Sequence, residues 1–268
     1  MKVTSDLHIH TNLSLCAEPD ATVERYLALW AENDVRTIGF SNHCWAGHIP
    51  FPNGVCPGVD WYKAQPVERA LTIRKQLPKD TGSKRILIGC EVEYIGSGIA
   101  GIDKDTAKLF DYVLVAANHF HMTGLTVPSD LVSGGTDAIR ELLYRRFNEA
   151  AALEFATGIV HPFIPYGFSD IETEIISGFT DQQYRNSFSA AASCRISVEI
   201  HRDAVESRIA EDKNGFSSEF IRMLTIAGEC GCTFHFGSDT HGIINPDYER
   251  MGRFAALCGI TSDDILVI

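Results

Sequence analysis

Short apolar runs alternate with amphipathic stretches along the whole chain. The short runs predict strands, and the amphipathic stretches predict helices that pack one face against a core. The strands are predicted at residues 3–10, 37–41, 85–93, 112–117, 158–160, 195–200 and 233–237. The helices are predicted at residues 21–33, 63–77, 103–110, 137–157, 181–193, 217–228 and 246–258. Seven strand–helix repeats predict an α/β protein, built as either a parallel barrel or a doubly wound sheet.

Length and composition fit one such fold. The chain has 268 residues, of which 45% are hydrophobic, so it can bury a full core. No linker or low-complexity segment divides the sequence, and we expect residues 1–268 to form a single domain. We also expect no membrane span, because no run of about 18 apolar residues occurs, and no signal peptide, because an apolar segment is absent after Met1.

Charge and cysteine content narrow the partners and the compartment. The chain carries 35 acidic and 23 basic residues and a net charge of −12, which disfavours nucleic acid as a partner. The eight cysteines lie mostly in apolar contexts of a large chain, which favours reduced thiols in a cytoplasmic protein over disulfides. A Gly- and Pro-rich loop at residues 43–60 is predicted to be a lid or specificity loop, or else a plain packed loop.

Residues that commonly bind metals lie at, or just after, the C-terminal ends of the predicted strands. Because the C-terminal ends of parallel strands meet at one rim of a barrel, we expect these side chains to form one site. A single strand-end histidine is more often a structural residue, but here seven different strands each supply a residue of this type. The residues are His8, His10, His43, Glu91, His119, His121, His161, His201, Asp239 and His241.

The spacing of these residues suits metal binding. His8 and His10 point to the same side of their strand, with imidazoles about 6–7 Å apart. The carboxylate of Glu91 has two oxygens and could bridge two ions. Asp239 and His241 repeat the two-residue spacing near the end of the chain. Imidazole and carboxylate ligands together suit zinc, manganese or iron.

Six motifs, in order along nearly the whole chain, resemble those of the PHP family, named for polymerase and histidinol phosphatase domains. They lie at residues 6–11 (DLHIHT), 41–43 (SNH), 89–94 (GCEVEY), 111–120 (DYVLVAANHF), 158–162 (GIVHP) and 237–241 (GSDTH). Any one of them is a weak signal, whereas the ordered set is specific. The resemblance implies a distorted seven-stranded (βα) barrel, similar to a TIM barrel, with two or three divalent metal ions at its C-terminal rim. It also implies a metal-dependent phosphoesterase, a hydrolase that acts on a small phosphorylated metabolite, with histidinol phosphate as one candidate.

The resemblance also implies a set of ligands for each ion. The first ion is assigned to His8, His10, Glu91 and Asp239, and the second to Glu91, His119 and His161. The third is assigned to His43, His241 and the residue six positions after His10. Many histidinol phosphatases have histidine there, but this chain has Cys16, and Glu18 and Asp20 lie close enough to replace it.

Two departures from the family concern the substrate. Histidinol phosphatases tend to have an acidic and then a basic residue after the histidine equivalent to His161, but the segment that follows here carries no charge. Arg202 is a candidate replacement for the missing phosphate-binding arginine, or else a surface residue. Relatives often have Glu-x-Asn where this chain has Glu199-Ile200-His201. We take His201 and His241 as candidates for the acid that protonates the leaving group.

Three other functions compete with this interpretation. Amidohydrolases also begin with a His-x-His strand and end with a late aspartate, but they typically need a bridging lysine on a middle strand, which this chain lacks. A PHP phosphoesterase could also act on nucleotides, whereas a PHP module attached to a polymerase is disfavoured by the acidic charge. A non-catalytic metal-binding protein would close the coordination shell, whereas a site among long rim loops should leave open positions.

Overall fold

The computed structural model describes residues 1–51 and 57–268, and its framework is a ring of parallel strands. Among the described residues, the strands are β1 (Ser5–Ile9), β2 (Thr37–His43), β3 (Arg85–Gly96), β4 (Ile99–Ala100), β5 (Tyr112–Ala116), β6 (Gly158–Ile159), β7 (Ser197–His201) and β8 (Phe234–Gly237). Seven of them pair in parallel in the order β1-β2-β3-β5-β6-β7-β8, and β4 pairs antiparallel with the end of β3.

The first and last strands meet and nearly close the ring. The N–H of His10 donates to the carbonyl of Thr240 at 2.9 Å, and the N–H of Asp239 donates to the carbonyl of His8 at 2.7 Å. The strands therefore follow the chain order around a barrel, without the reversal of order that defines a doubly wound sheet. The expectation of a distorted (βα)7 barrel is confirmed, and β6, with two paired residues, is one place where the ring is irregular.

Helices surround the barrel. In the described part of the chain they are α1 (Val23–Leu29), α2 (Pro57–Lys63), α3 (Val67–Leu71), α4 (Lys104–Ala107), α5 (Gly135–Ala150), α6 (Glu172–Ser177), α7 (Asp181–Ser193), α8 (Arg202–Glu206), α9 (Ser218–Glu229) and α10 (Tyr248–Leu257), with 3-10 turns at Thr72–Lys75, Ser169–Ile171 and Ser262–Asp264. Among these helices, none is both long enough and apolar enough to cross a lipid bilayer.

Local sequence explains where the predicted helices hold and where they fail. Helix α7 has its predicted bounds, because the Thr180 hydroxyl and the Gln183 side chain cap its first turn reciprocally. The helix predicted at residues 63–77 is interrupted before Pro66, which disfavours helical geometry in the residue that precedes it. The helix predicted at residues 137–157 ends at Ala150, and the following turn leads into β6.

A small apolar cluster supports the rim from within the sheet. It contains Leu7, Leu87, Tyr112, Leu114 and Val160, and it is separate from the main core between barrel and helices. The Tyr112 hydroxyl donates to the carbonyl of Leu7 at 2.6 Å. A Cβ atom on Gly89 would lie 2.3 Å from Tyr112, so only glycine leaves room for this ring. Leu87 and Glu91 share one face of β3, which places the cluster beneath the Glu91 carboxylate.

Candidate metal centre

The barrel brings almost all of the predicted site residues together at its C-terminal rim. His8, His43 and His201 lie at or near the ends of their strands and Glu91 lies within β3, whereas the segments just after strands supply the rest. In residues 1–51 and 57–268, the ligand-type atoms form four groups within which all atoms lie within 4.8 Å of one another. The groups are His10, Cys16, His43 and His241; His8, His10 and Glu91; His8, Glu199 and His201; and Glu91, His119 and His161.

Glu91 lies at the centre of the cluster and faces imidazoles on both sides. Its Oε2 lies 3.3 Å from Nε2 of His8 and 3.2 Å from Nε2 of His10. Its Oε1 lies 3.1 Å from Nε2 of His161 and 3.8 Å from Nε2 of His119. Each carboxylate oxygen therefore belongs to a different group of potential ligands, as expected for a carboxylate that bridges two ions.

Asp239, in the segment just after β8, completes the group of His8, His10 and Glu91. Its Oδ1 lies 3.0 Å from Nε2 of His10 and 3.3 Å from Nε2 of His8. This oxygen is buried and has no hydrogen-bond partner in the described part of the chain. Asp239 and His161 both have left-handed backbones, with φ values of 49° and 34°. Non-glycine residues rarely adopt this conformation, and it tends to persist where a functional geometry requires it.

Two glutamates hold imidazoles in position from behind the cluster. Glu199 Oε1 lies 2.7 Å from Nδ1 of His8, and its Oε2 accepts the backbone N–H of His161 at 2.5 Å. Glu93 Oε2 lies 2.9 Å from Nδ1 of His119. An ionised carboxylate can only accept, so each contact places a hydrogen on Nδ1, and Nε2 is the nitrogen whose lone pair faces Glu91 once the ring is neutral and able to bind a metal.

Neutral side chains do the same for His10 and His161. The Ser14 hydroxyl donates to Asn42 Oδ1 at 2.9 Å, so it accepts from Nδ1 of His10 at 3.0 Å. Asn118 Oδ1 lies 2.7 Å from Nδ1 of His161, and its amide group donates to the carbonyl of His161. Four imidazoles of the cluster thus present Nε2 lone pairs to the same space, as metal-binding histidines do. The nitrogen and oxygen ligand atoms, and the hydrogen bonds that hold the imidazoles from behind, fit divalent metal ions.

The acidic and basic side chains of the cluster shift each other's pKa values. Burial alone would raise the pKa of Glu91, but the neighbouring His43 and His8 hold it well below its usual value. Burial opposes protonation of His119, but Glu93 and Glu91 together raise the pKa of its imidazole to about 9. His161 lacks such an excess of acidic neighbours, and burial with the adjacent His119 lowers its pKa to about 4.

Cys16 and His43 form the side of the cluster predicted for a third ion. His43 presents Nδ1, 3.2 Å from Glu91 Oε2, and this nitrogen has no hydrogen-bond partner in the described chain. The ring of His10 stacks between those of His43 and His241, with centroid distances of 4.6 and 4.3 Å. The Cys16 thiol belongs to this group, and partial burial together with the charge of Glu91 raises its pKa to about 12.

The remaining predicted residues lie beside the cluster or apart from it. The Arg202 guanidinium lies 3.8 Å from the carboxylate of its neighbour Asp203 and makes no direct contact with the cluster among the described interactions. His235 is fully buried, and its Nδ1 is hydrogen-bonded to the Ser197 hydroxyl. In the loop at residues 43–60, residues 52–56 lie outside the described chain. The ring of Trp61, just after that loop, contacts His43 at a centroid distance of 5.2 Å.

Sequence reasoning missed Tyr166, which forms a wall of the site. Its ring lies 5.0 Å from that of His161 and 5.5 Å from that of His119. Its hydroxyl donates to Asp203 at 2.6 Å. Both Tyr166 and Asp203 also line a neighbouring cavity of about 560 Å³, together with Glu172 and other residues. The cavity therefore opens beside the group of Glu91, His119 and His161.

Comparison with known proteins identifies the fold. No protein-family profile matches the sequence, and no curated protein sequence matches it. Two solved structures superpose over most of their length. The histidinol phosphate phosphatase of Lactococcus lactis subsp. lactis, solved with zinc, L-histidinol and phosphate, is 15% identical, with a TM-score of 0.58 over 97% of this chain and 94% of that one. A candidate histidinol phosphatase from Listeria monocytogenes is 17% identical, with a TM-score of 0.62 over 94% and 98% of the two chains.

The chain has the fold of these two proteins. At this level of identity the likeness establishes the architecture. It agrees with the resemblance that the six sequence motifs carry.

Proposed function

We propose that the protein is a metal-dependent phosphoesterase that hydrolyses a phosphomonoester. The observation that carries the proposal is the position of Glu91, whose two oxygens face two separate groups of imidazoles. Hydrogen bonds on the side away from Glu91 hold the rings of these imidazoles. The shared fold with a phosphatase solved with zinc and phosphate supports the same conclusion. Metal ions held in this way would polarise a phosphate and lower the pKa of a water molecule.

We assign the ligands as the sequence motifs imply. His8, His10, Glu91 and Asp239 would hold one ion, and Glu91, His119 and His161 a second. His43, His241 and Cys16 would hold a third. The mixture of nitrogen, oxygen and sulfur ligands favours zinc, with manganese and iron as alternatives.

The chain's own residues would position and protonate the substrate. Glu199 and Glu93 fix the rings of His8 and His119, so the ligands need not reorient when substrate binds. His201 and His241 both approach Asp239 and are our candidates for the groups that hold a proton near the substrate oxygens. The cavity next to Tyr166 would receive the remainder of the substrate.

We propose a small phosphorylated metabolite as the substrate, and histidinol phosphate is the first compound to test because a protein of the same fold was solved with histidinol and phosphate. The uncharged segment after His161 and the pairing of Arg202 with Asp203 favour a somewhat different substrate. The net charge of −12 disfavours nucleic acid. The described cysteines are free thiols, which supports a cytoplasmic location.

A metal-exchange assay tests the proposal. The protein is stripped with chelator, its metal content is verified by elemental analysis, and Zn²⁺, Mn²⁺ or Fe²⁺ is added back. We expect hydrolysis of phosphomonoesters, including histidinol phosphate and nucleoside monophosphates, to disappear and then return. Activity that persists in verified metal-free protein would refute the proposal. Hydrolysis of amides or lactones, without any of phosphomonoesters, would favour the amidohydrolase alternative.

A further inference from the structure

His201 differs from the other imidazoles of the cluster in the hydrogen bond that holds its ring. It ends β7 and caps the first turn of α8, where its Nδ1 accepts the backbone N–H of Asp203 at 3.1 Å. A backbone N–H can only donate, so Nδ1 of His201 carries no hydrogen. The hydrogen of the neutral ring must therefore be on Nε2.

The rings of His8, His119 and His161 have the opposite arrangement. Each turns Nδ1 towards an acceptor oxygen and so keeps its hydrogen on that nitrogen. Their Nε2 atoms present lone pairs, whereas the Nε2 of His201 presents a hydrogen. For His201 to bind a metal through Nε2, its ring hydrogen would have to move to Nδ1 and face the N–H of Asp203.

The Nε2 of His201 points into the centre of the site. His201 is fully buried, and this nitrogen has no hydrogen-bond partner among the described residues. The nearest acidic oxygen, Oδ2 of Asp239, lies 3.5 Å away, beyond normal hydrogen-bond range. The ring centroid lies 6.1 Å from that of His8 and 5.5 Å from that of His161, between the two groups of ligands. Both oxygens of Glu199 are already engaged by His8 and by the His161 backbone.

We propose that His201 is not a metal ligand but the site's hydrogen-bond donor to a phosphate oxygen of the substrate. The inference rests on the proposed phosphoesterase function and deepens it. A buried N–H with no protein acceptor, directed between the two ligand groups, supplies a favourable contact only when an anion arrives. It also accounts for how this chain recognises phosphate without a basic residue after His161.

Two variants and one control test the role of His201. His201→Ala removes the donor, and His201→Gln places an amide N–H near the position of Nε2. His161→Ala is the matched control, because it removes a proposed ligand from the neighbouring strand end. We expect both His201 variants to retain as much zinc as the wild type by elemental analysis, and His161→Ala to lose zinc. Loss of zinc from both His201 variants would show that the residue is a ligand and overturn the inference.

Competition by inorganic phosphate provides the second measurement. Against zinc-loaded protein, we expect His201→Ala to weaken phosphate inhibition about tenfold to a hundredfold, the effect of one hydrogen bond to a charged group. His201→Gln should remain within roughly threefold of the wild type, because it keeps a donor. Equal inhibition of the wild type and His201→Ala would overturn the inference while leaving the phosphoesterase proposal intact. A wild-type zinc protein that neither binds phosphate nor cleaves phosphomonoesters would overturn both.

Nuclear magnetic resonance of zinc-loaded, ¹⁵N-histidine-labelled protein tests the hydrogen position directly. We expect His201, assigned by comparison with His201→Gln, to have its hydrogen on Nε2, with His8, His119 and His161 protonated on Nδ1. A His201 ring protonated on Nδ1 would contradict the inference whatever the enzymatic result.

Discussion

Oε2 of Glu93 lies 2.9 Å from Nδ1 of His119, and this contact joins strand β3 to the segment after β5 directly behind the candidate metal centre. Glu93 is two residues beyond Glu91 on the same strand, so both carboxylates face the same side of the sheet. The hydroxyl of Tyr62 donates to the same oxygen of Glu93. One strand thus supplies both a proposed bridging ligand and the group that orients a second ligand.

Removing the charge of Glu93 should weaken metal binding by Glu91, His119 and His161 without removing any of these proposed ligands. We expect Glu93→Gln to lower zinc affinity at that group about tenfold to a hundredfold, because His119 loses the partner that sets its ring and its basicity. Competition with a fluorescent zinc chelator measures the effect. Glu141→Gln, on the exposed face of α5, is the control and should bind zinc like the wild type. An unchanged affinity in Glu93→Gln would show that His119 needs no such partner.

Replacing Glu91 should have a larger effect than replacing any other carboxylate of the site. We expect Glu91→Ala to lose two ions together, because its two oxygens belong to both proposed groups. Elemental analysis of protein purified in zinc would measure the loss. Asp239→Ala should lose only the ion assigned to His8, His10, Glu91 and Asp239. Of the histidines assigned to the first two ions, the Asp239 carboxylate faces His8 and His10. Equal metal loss in the two variants would contradict the bridging role.

Cys16 is the proposed ligand on which we expect the binding of a third ion to depend. We expect Cys16→Ala to lose one zinc ion and Cys16→His to retain it, because imidazole replaces thiolate as a zinc ligand. Cys194, an exposed cysteine in the turn after α7, provides the control substitution Cys194→Ala, which should keep the full content. Full zinc content in Cys16→Ala would assign the position to another residue, such as Glu18 or Asp20.

His235 should make the fold sensitive to acid. Burial and the neighbouring His8 and His201 lower its pKa to about 4, although Glu199 opposes the shift. Between about pH 6.5 and 4 the unfolded chain binds a proton that the folded chain does not, so this contribution to stability is lost as the pH falls.

Urea unfolding of the wild type and His235→Gln at pH 7.5 and 5.5 measures this contribution. We expect the wild type to lose about 1 kcal/mol more than the variant between these two pH values. Ser189→Ala, at an exposed position of α7, changes no titratable group; it serves as the control and should behave as the wild type does. Equal losses in the wild type and His235→Gln would mean that His235 takes up its proton equally well in both states.

Strand ends are the part of the site that the sequence predicts. Parallel strands fix which end of each strand meets the others, so the order of strands along the chain is enough to group residues such as His8, Glu91 and Asp239. Neither their backing partners nor the walls of the site follow from this rule. Glu93 and Asn118 act through contacts between different strands, and neither contact has a characteristic spacing in the sequence.

Tyr166 illustrates a different difficulty. It reaches the cluster because the loop after His161 folds back sharply, through left-handed backbones at Phe163 and Gly167. Glycine adopts a left-handed backbone readily, so Gly167 is compatible with such a turn. Nothing in the sequence predicts a left-handed backbone at Phe163. The role proposed for Arg202 stays a prediction, and so does the expectation that residues 1–268 form a single domain.

The closure of the barrel between β1 and β8 has a consequence for the order in which the protein is made. Glu91, His119 and His161 have all left the ribosome well before Asp239, which joins β1 only when the last strand arrives. A nascent chain therefore contains all the ligands of one proposed ion while those of the other are still incomplete. The ligands proposed for the second ion are thus complete before synthesis ends, whereas those proposed for the first ion come together only when β8 closes the barrel against β1.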